Sequence, residues 1–119
     1  MDRDARPEIF VPLLKHLAEL LEASGYEEHA ASLEELARLA HSGDSEERQK
    51  FASQLTTTNY YWLGMGTIAD VSLPSQELDQ RFKIAYLNLA RLCRESGLAS
   101  PYSEAVEDIF GRWMKDAAS

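Results

Sequence analysis

The residues able to do chemistry in this chain are His16, His29 and His41, the lone Cys93, several glutamate pairs and the run GMGT at 64–67. The histidines stand 13 and 12 residues apart. Metal-binding helices need an i, i+4 or H-E-x-x-H spacing, so each reads as an ordinary surface or half-buried histidine. Cys93 falls four residues after Leu89 on an apolar stripe. There it reads as a small core hydrophobe, because a thiol without nearby positive charge is a poor nucleophile. No serine has a G-x-S-x-G setting, and several suit helix caps better. The pairs Glu27-Glu28 and Glu34-Glu35 resemble acid/base dyads only on paper. Neighbouring helix residues point about 100° apart, whereas a working dyad converges on one atom. GMGT has neither a third glycine at dinucleotide-binding spacing nor a following Lys-Ser/Thr. The expectation is a protein with no catalytic centre, cofactor or metal.

Apolar periodicity then supplies the elements that carry these residues. Leu13, Leu14, Leu17, Leu20 and Leu21 mark a helix from about Pro7 to Ser24, with Pro7 and Pro12 in its first turns and Gly25 as its stop. Ala30, Leu33, Leu36, Ala37 and Ala40 line a second helix from about Glu27 toward Gly43. The short link between them implies an antiparallel hairpin. Asp44 or Ser45 caps a third helix, with Asp44 and Glu47 as a D-x-x-E start signal and Phe51, Ala52 and Leu55 inward. Ser75 caps the longest helix, about Gln76 to Ser96, whose inward side is Leu78, Phe82, Ala85, Leu89, Leu92 and Cys93. Lys83, Leu87, Arg91 and Arg94 then fall together on the opposite, wet side. A last helix starts at Ser100-Pro101 or Ser103, with the stripe Val106, Ile109, Phe110 and Trp113. The fold class is all-α, a compact bundle of four to five helices with an irregular glycine-rich crossover at about 59–74.

At 119 residues the chain supports one domain, 1–119, around one core. Its 45% apolar and 27% charged residues are the balance of a soluble globular protein. No apolar run approaches the roughly 20 residues of a membrane span. The opening MDRDARPEIF lacks a long apolar stretch, and a single cysteine fits a reducing compartment, so the expectation is a cytoplasmic protein. The net charge of −8 is uneven: residues 1–50 hold twelve acids against six bases, and residues 51–119 hold eight against six. Six glutamates and no Lys or Arg lie between His16 and Ala37. That surface repels phosphate backbones and attracts a basic protein.

The stretch NYYWLGMGTIADVSLP (59–74) departs from helical patterning. Gly64 and Gly66 permit a sharp turn around Met65, while Trp62, Leu63, Met65 and Ile68 can plug the core. Asp70 can cap a turn in the same loop. Three adjacent aromatics cannot all face one core, so Trp62 is expected inward and Tyr60 or Tyr61 outward. The loop is therefore either a crossover that closes the bundle or, through Tyr60, Tyr61 and Asp70, part of a partner surface.

The longer run WLGMGTIADVSLPSQELDQRFKIAYLNLARL (62–92) resembles the second half of certain small all-helical bacterial immunity proteins, which plug secreted antibacterial toxins. The shared pattern is an apolar-Gly-apolar-Gly-Ser/Thr-apolar turn, an Asp shortly after, and a long helix with an aliphatic, aromatic and Ala-rich face. The resemblance implies an all-helical fold and a protein partner, and transfers no individual contact residues. From this follows the expectation of an immunity protein that neutralises a cognate toxin by stoichiometric occlusion of its active site. The alternative is a non-catalytic helical adaptor or regulatory protein, with a homodimer possible. The residues singled out for partner contact are Tyr60, Tyr61, Asp70, Glu27, Glu28, Glu34, Glu35, Leu87 and Arg91. Neither nucleic acid nor membrane is an expected partner.

Overall fold

The structure is a computed structural model, and it describes residues 7–57 and 73–118. Among these are five helices and no strand: α1 (Pro7–Ala23), α2 (Glu27–His41), α3 (Ser45–Thr56), α4 (Gln76–Glu95) and α5 (Pro101–Ala118). The all-α bundle is as expected, with helix limits within two residues of those read from the apolar stripes.

Each turn has a local cause. Gly25 ends α1 at φ 91°, a left-handed conformation that costs glycine nothing. Tyr26 N donates to Leu21 O at 2.9 Å and Gly25 N to Glu22 O at 3.1 Å, which satisfies carbonyls left over by the last turn. Gly97 repeats this after α4 at φ 76°, with Leu98 N donating to Cys93 O at 2.7 Å and the Leu98 side chain fully buried. Asp44 caps α3, its Oδ1 accepting from Glu46 N at 3.0 Å, and Ser75 caps α4 by accepting from Leu78 N at 3.0 Å. Glu47 does not close the capping box that D-x-x-E spells. The Asp44 amide donates to Ser42 Oγ instead, and Glu47 turns to Ser42 and Arg38. At α5, Ser100 and Ser103 cap each other within the protein interior.

The stripes meet in one core. α1 packs on α2 and α4, α4 on α5, and α2 on α3. Phe10 of α1 meets Phe51 of α3 edge to face, with ring centroids 5.1 Å apart. Tyr86 stands between Phe82 and Phe110 in the same geometry, at 5.3 and 6.0 Å, joining α4 to α5. Such edge-to-face pairs add about 0.5–1.5 kcal/mol beyond burial alone.

Two assignments of facing are corrected. Leu87, expected on the wet side of α4, is 1% exposed. A helix packed against two neighbours buries more than one stripe, and α4 lies against both α1 and α5. Its solvent strip is instead Ile84, Asn88, Arg91 and Glu95. Ile109, expected inward, is 47% exposed. The inward side of α5 runs through Ser103, Val106 and Phe110, and Ile109 lies about 100° round the helix from Phe110, toward solvent.

Candidate interaction surface

The α1–α2 hairpin carries the acidic surface. Glu19 and Glu22 are exposed on α1, and Glu27, Glu28, Glu34 and Glu35 are exposed on α2. Leu33, Leu36, Ala37 and Ala40 take the core side of α2, so Glu27, Glu28, Ala31, Glu34, Glu35 and Arg38 fall to the water side. Glu27 and Glu28 also sit in the first turn of α2, where carboxylates complement the helix dipole.

These glutamates are not equivalent. Arg38 forks onto Glu35, with Nε 2.8 Å from Oε1 and Nη2 2.7 Å from Oε2, and its Nη1 reaches Glu47 Oε2 at 3.0 Å. Ser42 Oγ donates to the other Glu47 oxygen at 2.7 Å. The Arg38 hydrogen bond lowers the Glu35 pKa, and the Ser42 and Arg38 bonds lower that of Glu47. Glu35 thus belongs to a clamp between α2 and α3. Among the described residues, Glu19, Glu22, Glu27, Glu28 and Glu34 have no cation in ion-pair contact. They are the charges left to act outward.

At the hairpin turn, Tyr26 stacks on His29 with centroids 6.1 Å apart and planes 18° from parallel. Gly25, Tyr26, Glu27, Glu28 and His29 line a notch of about 280 Å³. A partly exposed aromatic ring beside two carboxylates suits a guanidinium or ammonium group. Sequence reading missed Tyr26. Its signal was an aromatic directly after the stop glycine and before two acids.

The basic patch expected on α4 is not assembled. Leu87 is buried, Lys83 Nζ lies 2.7 Å from Asp79 Oδ2, and Arg94 Nε donates to both carboxylate oxygens of Glu107 on α5. Arg91 remains exposed, now on the strip with Ile84, Asn88 and Glu95. Tyr60, Tyr61 and Asp70 lie outside the described residues.

Cys93 is fully buried, and burial together with the nearby Glu107 carboxylate pushes its thiol pKa far up. Among the described residues no group of three His, Cys, Asp or Glu side chains is placed to hold a metal, and no helix is long and apolar enough to cross a membrane. No protein-family model, curated protein or solved structure matches this chain.

Proposed function

We propose that the protein is a stoichiometric inhibitor of immunity type, which occludes a basic toxin domain with the exposed side of its α1–α2 hairpin. One observation carries this reading: Glu19, Glu22, Glu27, Glu28 and Glu34 are exposed on one helical hairpin with no ion-pair partner among the described residues. Carboxylates with no internal partner keep their field for an incoming molecule, and a hairpin braced on the core presents them with little loss of freedom. The Tyr26–His29 stack supplies an aromatic centre that can be desolvated on contact. The resemblance of residues 62–92 to bacterial immunity proteins points to the same class.

Steered association has a kinetic signature. The acidic side should raise the association rate with a basic partner, and salt should lower it, since the Debye length shrinks from about 30 Å at 0.01 M to about 3 Å at 1 M. The test is the association rate with the purified product of the gene directly upstream, at low and high ionic strength. Glu27→Gln/Glu28→Gln/Glu34→Gln should slow it at low salt and leave it little changed at high salt. An upstream product that does not bind removes the immunity reading.

A further inference from the structure

The groove between the first half of α1 and the last turns of α4 has no part in that reading. It is a shallow depression of about 530 Å³, open to solvent, with Ile9, Pro12 and Leu13 along one side and Asn88, Arg91 and Glu95 along the other. Ile84, one turn before Asn88 on the same strip, extends it with a side chain 41% exposed, and Ile9 is 43% exposed. They are two of the most exposed large apolar residues among those described.

Within α4, charge distinguishes the groove. On α4, Arg81 pairs with Glu77, Lys83 with Asp79, and Arg94 with Glu107. Arg91 has no ion-pair partner among the described residues, and neither has Glu95 one turn later. A base four residues before an acid is the weaker order for pairing along one helix, and here the two charges stay apart. Pro12 adds a second mark. It lies inside α1, where it has no N–H to donate to the Glu8 carbonyl, a local cost to the helix accepted at a residue that lines the groove.

We propose that this groove is the contact face between two copies of the chain. A twofold axis brings Arg91 of each copy to Glu95 of the other, and the strips containing Ile84 bury against the Ile9 and Leu13 walls. One base and one acid on a strip bordered by apolar side chains are self-complementary under a twofold, which satisfies both charges at once. A partner of strongly acidic or strongly basic character satisfies one and strands the other. Two chains of net charge −8 repel over most of their surfaces, so a self-contact must lie where charge is locally balanced, as it is here. The α1 wall belongs to the acidic hairpin, but Glu19, Glu22, Glu27, Glu28 and Glu34 do not line the groove, so the proposal does not depend on them.

The test is analytical ultracentrifugation of the full chain across roughly the micromolar range, where a contact of modest size dissociates. The wild-type mass should double from 13.4 kDa with rising concentration. Arg91→Glu and Glu95→Arg should each move the transition to about tenfold higher concentration or beyond, since each sets like charges face to face. The reciprocal variant Arg91→Glu/Glu95→Arg should restore wild-type association, because the exchanged charges meet again across the axis. Both side chains are exposed, so circular dichroism should show unchanged helix content in every variant. A wild-type chain that stays monomeric throughout overturns the proposal. So does a dimer indifferent to either single reversal, or a double variant that fails to recover.

Discussion

Arg38 of α2 and Glu47 of α3 face each other across the helix junction, Nη1 to Oε2 at 3.0 Å. The same guanidinium holds Glu35, so one arginine neutralises two carboxylates and braces α3 on the hairpin. Both carboxylates have folded pKa values below the ordinary 4.5. A lowered folded pKa contributes stability that is present above the ordinary value and lost as pH falls through the folded one. Arg38 and Glu35 are exposed and Glu47 is half-buried, so the effect is small and sensitive to salt. Glu47→Gln should therefore destabilise the protein at pH 7 and much less at pH 3. Urea midpoints of the two proteins at both pH values check this; a constant gap between them means that the clamp does not titrate.

The start of α5 is held by a reciprocal pair of serine caps. Ser103 N donates to Ser100 Oγ at 3.2 Å, and Ser100 N donates to Ser103 Oγ at 3.0 Å, all within the interior. Ser103→Ala strands the buried Ser100 amide and should cost about 1–2 kcal/mol. Ser96 makes a useful contrast, since its buried Oγ has no hydrogen-bond partner among the described residues. Ser96→Ala removes a hydroxyl that gains nothing from burial and should be neutral or stabilising. Chemical denaturation of both variants orders the two sites.

Leu87 and Arg91 are one helical turn apart on α4 and should respond oppositely to truncation. Leu87 is 1% exposed, so Leu87→Ala opens a cavity and should cost about 2–5 kcal/mol. Arg91→Ala, at an exposed position with no ion pair among the described residues, should stay within about 0.5 kcal/mol at monomer concentrations. A mild loss at Leu87 would return that residue to the surface.

Much of this architecture is legible in the sequence because its signals are local. Gly25, Asp44, Ser75 and Gly97 stand within a residue or two of the helix ends they set, and caps depend on short-range hydrogen bonds. Facing is harder to read, because it depends on how many neighbours a helix has. A period of 3.6 residues reports one buried stripe and says nothing of a second, which is why Leu87 was assigned to water. Ser103 was overlooked as a core residue because its burial is made tolerable by a partner three residues away. The acidic hairpin was visible as composition, while the removal of Glu35 by Arg38 needed three-dimensional placement. Arg91 is exposed as its place on the helix implies, but its companions are Ile84, Asn88 and Glu95 rather than Leu87.

The account's central claim is that the carboxylates of the α1–α2 hairpin steer a basic protein partner onto this chain. Stopped-flow association with the purified upstream product, from low to high ionic strength, addresses it most directly. The account predicts a rate that falls at least about tenfold over that range, and a low-salt rate sharply reduced by Glu27→Gln/Glu28→Gln/Glu34→Gln. A partner that binds equally fast at both ionic strengths, and equally fast to the neutralised hairpin, would contradict it.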